Sequence, residues 1–273
     1  MIDYHLHSEI SADAIGTIKE ICQKCIELGL EEICFTDHLD FDPSDLCYEY
    51  YDYSRAKKQI DEAQDIFQNK ISIKFGVEID YQKRHHNLIL DYLHDKQFDY
   101  ILGSAHYVDG IIIEDHKRLF SEKIEEEIYD KYFDVVYSVI DSGLFDTLAH
   151  LDLCKRYGVL YYGNFDSDKY SEKINDILKY LISKNMTLEV NSSGLRQSPN
   201  NTYPDYDIIK LYYDIGGRNI ITGSDSHSPT DVGKGILEAT KIIYEIGFKE
   251  IDTFNSRIRN KRLLDMAIDN ANK

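Results

Sequence analysis

Short runs rich in branched and aromatic residues alternate with amphipathic stripes along the chain. Runs at residues 2–5, 32–36, 72–77, 99–103, 145–149, 187–191 and 219–223 have the length and composition of buried strands. Between them, apolar residues recur at helical spacing. Ala56, Ile60, Ala63 and Phe67 form one stripe, and Ile124, Ile128, Val135 and Val139 another. Ile174, Ile177, Leu178, Leu181 and Ile182 form a third, and Val232, Ile236, Ala239, Ile243 and Ile246 a fourth. Seven strands, each followed by a helix, predict parallel βαβ units. There is no Gly-, Ser- or Pro-rich linker, no low-complexity tract and no repeat. The pattern therefore predicts an α/β fold, a single barrel-like domain over residues 1–273. An open doubly wound sheet is the alternative. Its marker, a glycine-rich phosphate loop after the first strand, is missing, and that strand ends in histidines instead.

Composition narrows the class. Hydrophobic residues make up 42% of the chain, enough for a sizeable core, yet the longest purely apolar runs (Leu88-Ile89-Leu90 and Ile111-Ile112-Ile113) are far too short for a bilayer. No basic segment followed by an apolar stretch opens the chain, so the expectation is a soluble cytoplasmic protein without a signal peptide. The formal charge of -18, from 49 acids against 31 bases, disfavours nucleic acid and anionic membrane as partners. It also conflicts, at first sight, with a phosphorylated substrate. The five cysteines fit reduced thiols. Cys22 and Cys25 form a C-x-x-C, but with Ile18, Ile21 and Ile26 they also complete a helical stripe, which favours core packing over redox or zinc chemistry.

Residues of metal-ligand type are concentrated where the predicted strands end. "MIDYHLH" places His5 and His7 one residue apart, on the same face of a strand. "TDH" places His38 after the second strand, "GVEID" places Glu78 at the end of the third, and "LGSAH" places His106 beyond the fourth. "TLAH" and "TGSDSH" add His150, Asp225 and His227 after the fifth and seventh. Six of the seven strands thus end in a ligand-type residue. In an α/β barrel these ends converge on one face, which carries the active site. A lone histidine at a strand end reads as a satisfied core residue, but that reading does not account for the set. His85, His86, His94 and His116 fall in helical or loop segments and read as surface residues.

The ordered motifs H-x-H, S-A-D, T-D-H, G-x-E, S-x-H, A-H and S-D-S-H resemble the PHP (polymerase and histidinol phosphatase) metallohydrolase family along essentially the whole chain. "LEVNSSGLR" resembles the N-[TS]-S-G-L-R stretch of its monofunctional histidinol-phosphate phosphatases. The resemblance implies a distorted (β/α)7 barrel with a trinuclear metal site at the C-terminal ends of the strands. One divalent ion would take His5, His7, Glu78 and Asp225. A second would share Glu78 and take His106 and His150, and a third would take Asp13, His38 and His227. Asp13 stands where some relatives have histidine. Zinc, iron or manganese all suit mixed nitrogen and oxygen ligation.

The implied activity is hydrolysis of L-histidinol phosphate to L-histidinol and phosphate, a step of histidine biosynthesis, by attack of a metal-bridging hydroxide. Three divalent ions against Asp13, Glu78, Asp225 and one hydroxide leave a charge of about +2, which reconciles an acidic protein with a phosphate monoester. Asp225 is the candidate proton relay to the leaving alkoxide. Arg156, six residues after His150, and Arg196 are candidates for the phosphate clamp, because the guanidinium fork pairs phosphate in two places. Ser193 could add a hydrogen bond, and Glu114 could meet a substrate ammonium. Tyr48, Tyr50, Tyr51 and Tyr53 form either a lid over an imidazole ring or a tyrosine-rich surface. Two other functions remain open: a related phosphoesterase acting on protein phosphotyrosine or nucleotides, and a non-catalytic metal-binding module.

Overall fold

The strand-type runs pair edge to edge in a computed structural model that describes residues 1–264; residues 265–273 of the expected domain lie outside the described residues. The strands are β1 (Ile2–Leu6), β2 (Glu32–Phe35), β3 (Ser72–Asp80), β4 (Tyr100–Ser104), β5 (Tyr107–Val108), β6 (Ile111–Ile112), β7 (Thr147–Leu148), β8 (Thr187–Asn191), β9 (Ile220–Gly223), β10 (Glu250–Asn255) and β11 (Ile258–Leu263). Seven of them form one parallel sheet in the order β1-β2-β3-β4-β7-β8-β9. The two edges meet: the Asp225 N–H donates to the His5 carbonyl at 2.8 Å and the His7 N–H to the Ser226 carbonyl at 3.0 Å. The result is the nearly closed (β/α)7 barrel expected. Because helices cover the sheet outside and side chains fill it inside, β1, β4, β8 and β9 are buried at every position, as parallel strands usually are.

The helices are α1 (Ile18–Glu27), α2 (Tyr53–Phe67), α3 (His86–Leu93), α4 (His116–Phe120), α5 (Glu125–Ser142), α6 (Lys155–Tyr162), α7 (Ser171–Ser183), α8 (Tyr206–Asp214) and α9 (Ile236–Ile246). Side chains define several of their starts: Thr17 and Glu20 form a reciprocal capping box on α1, and Asp52 and Asp205 cap α2 and α8. The predicted stripes face the barrel. Cys22 and Cys25 are buried within that of α1, so the C-x-x-C packs into the core. Two stripes start late. Ile124 precedes α5 and stays 63% exposed, and Val232 is buried but lies before α9, because Gly233 and Gly235 adopt positive φ and turn the chain first. Among the described residues, no helix is long and apolar enough to cross a membrane.

Three departures from the predicted pattern shape the site. β3 runs on to Asp80, because Glu78, Ile79 and Asp80 pair with Leu102, Gly103 and Ser104 of β4. A β5–β6 hairpin follows β4, turning through Asp109 and Gly110, both at positive φ. The third departure is in β1, which carries one residue more than β2 between Asp3 and Leu6, the count of a β-bulge. Consecutive residues then both reach into the barrel: Tyr4 meets Tyr100 of β4 edge-on at 5.3 Å, while His5 meets Glu189 of β8 at 2.6 Å. At the opposite end, the β10–β11 hairpin closes the barrel bottom. Phe254 packs on Tyr4 and Tyr100, and the Tyr4 hydroxyl accepts the Phe254 N–H at 3.0 Å.

Candidate metal centre and active site

The nine ligand-type residues meet at the C-terminal mouth of the barrel, with Glu78 between two of their groups. Oε2 of Glu78 lies 3.1 Å from His5 Nε2 and 3.4 Å from His7 Nε2; Oε1 lies 3.0 Å from His150 Nε2 and 3.6 Å from His106 Nε2. Asp225 Oδ1 faces the first pair at 3.7 and 3.5 Å. To one side, Asp13 Oδ2 is 3.3 Å from His227 Nε2 and 3.6 Å from His38 Nε2. His38 also turns Nδ1 towards Glu78 Oε2, at 3.3 Å. In four overlapping triplets the ligand atoms all lie within 4.8 Å of one another: His5, His7 and Asp225; His5, Glu78 and His150; His38, Glu78 and His106; His7, His38 and His227.

Beneath these side chains lies a layer of buried carboxylates that the sequence reading did not single out. Each accepts a backbone N–H from a ligand residue or its neighbour. Asp3 takes that of Ser224 at 2.8 Å, Asp37 that of Ser8 at 2.6 Å, Asp80 that of His106 at 2.7 Å and Glu189 that of His150 at 2.8 Å. Ser11, held by Asp37, receives the His38 N–H and touches His7 Nδ1 at 3.3 Å. Where strands splay at the mouth they leave amide groups without a ladder partner, and acids fill the gap. The signal was present in "LEVN" and "GVEID", where an acid interrupts an otherwise apolar strand. Burial raises the Asp3, Asp37 and Asp80 carboxyls, Asp3 to about 6 and Asp80 to about 7, so they add less negative charge to the mouth than their number suggests.

The electrostatics follow from burial and from neighbours. Burial raises the Glu78 carboxyl, but His5 and His38, with hydrogen bonds from His150 and His5, outweigh it and hold it well below the usual range. Asp225 is depressed in the same way, burial being overcome by His5, His7 and His227. For His5, burial acts downward, yet Glu189, Glu78 and Asp225 lift it well above an ordinary imidazole. Burial, with His227 and His38 close by, pushes His7 down to about 3, and burial pushes His106 to about 3. Two buried nitrogens, His7 Nε2 and His38 Nδ1, aim into the cluster without a hydrogen-bond partner among the described residues. Imidazole nitrogens and ionised carboxylates converging this closely, with His7 and His106 held neutral and two nitrogens left unpartnered, are a donor set that fits divalent cations.

The cluster floors a cavity of about 470 Å³ whose walls include Asp40, Asp45, Leu46, Ile112, Glu114 and Arg156. Arg156 lies in the first turn of α6, its guanidinium over the Tyr157 ring and 3.9 Å from Glu114 Oε1. Both side chains stay partly exposed on the cavity wall, as a substrate contact requires. Arg196 and Ser193 lie elsewhere. Arg196 Nη2 donates to the carbonyls of Ser224 and Asp225 at 2.7 and 2.8 Å, pinning the loop that carries Asp225, and the buried Ser193 hydroxyl donates to Asp225 Oδ2 at 3.2 Å. Neither is among the residues lining the cavity. Nor are Tyr48, Tyr50, Tyr51 and Tyr53; Tyr53 instead bonds to Gln97. His116, read as a surface residue, is half-buried, stacked on Tyr157 and hydrogen-bonded to the Tyr161 hydroxyl at 2.7 Å.

This arrangement has relatives. A PHP domain is matched across residues 3–193. A histidinol-phosphatase of Lactococcus lactis is 31% identical over 260 residues, covering 93% of this chain and 94% of its own. A probable histidinol-phosphatase of Thermotoga maritima is 30% identical, covering 91% and 94%. The fold superposes, with a TM-score of 0.88 and 29% identity, on the crystal structure of the Lactococcus lactis histidinol phosphate phosphatase complexed with zinc, L-histidinol and phosphate, covering 95% of this chain and 98% of that one. With its barrel, its clustered ligand-type residues and a domain match over more than half its length, the chain belongs to the PHP domain family.

Proposed function

We propose that the protein is a metal-dependent phosphatase that hydrolyses L-histidinol phosphate to L-histidinol and phosphate. The observation that carries this reading is Glu78, whose two oxygens face two separate histidine groups beneath an open cavity walled by Arg156 and Glu114. The Lactococcus lactis structure, holding zinc and both products of that reaction on the same fold, supports it. Three ions match the donor set: one at His5, His7, Glu78 and Asp225, one at Glu78, His106 and His150, and one at Asp13, His38 and His227. Bound there, divalent ions make water a nucleophile near neutral pH and offset the charge of the phosphoryl oxygens.

The chain's own residues do the rest. Arg156 reaches into the cavity from α6, where its fork grips the phosphate. Glu114, partly exposed beside it, accepts a hydrogen bond from the substrate ammonium. Asp225 is ionised before the reaction, because its neighbours hold it low. Ionised and beside the attacking water, it relays a proton from that water to the leaving alkoxide, which is far more basic. Arg196 and Ser193 serve this step from behind, by fixing the loop and the carboxylate of Asp225. The test is phosphate release by the zinc-loaded protein from histidinol phosphate, phosphotyrosine, nucleotides and sugar phosphates. Histidinol phosphate should be strongly preferred; comparable rates on all four would overturn the assignment.

A further inference from the structure

Glu189 is buried in the middle of β8 and belongs to none of the proposed ligand groups, yet it touches two of them. Oε1 lies 2.6 Å from His5 Nδ1, and Oε2 accepts the His150 N–H at 2.8 Å and an Asn191 Nδ2–H at 3.3 Å. Asn191 Nδ2 also lies 3.5 Å from His5 Nδ1, where a donor would favour an unprotonated ring nitrogen. The contact to Glu189 is much shorter and involves an acceptor, so it decides the matter: His5 Nδ1 carries hydrogen. With that hydrogen held on Nδ1, Nε2, which faces Glu78 and Asp225, is the nitrogen left to ligate a cation. On the other side, His150 has φ +21°, a conformation L-residues rarely adopt, and its N–H is the group that Glu189 holds. The neighbouring strand is cut to fit. A Cβ at Gly223 would come 2.4 Å from Glu189 Oε1 and 2.4 Å from the His5 Cβ, so only glycine lets the two meet.

We propose that Glu189 is a positioning residue that tunes two metal positions at once, by setting the His5 tautomer for one and the His150 backbone for the other. This rests on the metal-centre reading above and adds a coupling to it: Glu78 joins the two positions from the cavity side, Glu189 from below. A glutamine cannot replace it. With one acceptor and one donor, the amide satisfies either His5 Nδ1–H or the His150 N–H and opposes the other.

The test is a zinc titration of chelator-stripped wild type and Glu189→Gln against a chromophoric chelator. The variant should bind about ten- to hundredfold more weakly at one at least of the two positions, the usual effect of losing a partner that orients a ligand. In the zinc-loaded wild type, the ¹⁵N ring resonances of His5 should show hydrogen on Nδ1. A merely structural role would lower the melting temperature of the stripped protein and leave the zinc affinity of the folded protein unmoved. Wild-type affinity in the variant, or an Nε2–H tautomer of His5 in the wild type, overturns the proposal and leaves the metal centre standing. A wild type that takes up no zinc overturns both. Should the variant not fold, the His5 resonances alone decide.

Discussion

The two ends of the barrel are both closed by buried polar side chains, but they are closed differently. At the bottom, most polar groups answer one another within the chain, although the buried Tyr100 hydroxyl has no hydrogen-bond partner among the described residues. The Tyr4 hydroxyl takes the Phe254 N–H and meets Glu32; Asp252 takes the Thr187 hydroxyl and pairs with Lys261. Aromatic rings fill the space between. At the mouth, imidazoles stack against one another, His7 on His38 at 4.3 Å and on His227 at 4.1 Å, and leave His7 Nε2 and His38 Nδ1 facing Glu78 without a hydrogen bond among the described residues. A buried, unpaired polar group destabilises a fold by about 1–3 kcal/mol. The bottom is therefore arranged for closure, and the mouth for a guest that completes it.

This contrast predicts that damage at one end spares the other. The largest effect should come from the mouth. Chelation should abolish phosphate release and zinc should restore it, with close to three ions per chain by metal analysis; activity retained with one ion or none would break the comparison. Glu78→Gln should cut kcat by more than a hundredfold, above the ten- to hundredfold typical of a merely supporting partner. No single histidine substitution should cost as much, and near-normal turnover would sink the bridging role of Glu78.

At the bottom, Phe254→Ala should cost about 3–5 kcal/mol of stability by leaving a cavity beside Tyr4 and Tyr100. Measured by denaturant unfolding, that loss should come with unchanged kcat and zinc content in the folded fraction. A fall in zinc affinity would show that the two ends are coupled. Arg156→Met separates substrate from metal within the mouth. Losing charge-assisted hydrogen bonds of roughly 1.5–3 kcal/mol should lower kcat/KM about ten- to hundredfold. Zinc content should hold and inhibition by free phosphate should weaken in parallel; full activity would make Arg156 a surface partner of Glu114. The smallest effect should be that of Thr17→Ala, which removes the α1 cap. Stability should fall by about 1 kcal/mol with catalysis untouched.

The sequence alone was enough for the barrel and for the histidines and acids at its strand ends. Both are written in local terms: a strand alternates with period two, a helix stripe repeats near 3.6, and H-x-H or T-D-H carries its chemistry in adjacent residues. What the tertiary structure decided is what depends on residues far apart in the chain. The bulge that turns both Tyr4 and His5 inward exists only against the register of β2. Glu189 acquires its partners from residues 39 and 184 positions away. The bottom hairpin is hidden in sequence because β11 is largely exposed and charged; Arg257 of its turn and Lys261 and Arg262 of β11 become clamps only when Asp146, Asp252 and Glu31 are brought beneath them. Arg156 and Arg196 look alike as residues following strands, yet one is on the cavity wall and the other holds the Asp225 loop. Sequence spacing records which side chains share a face; which of them meet is decided by how the strands close.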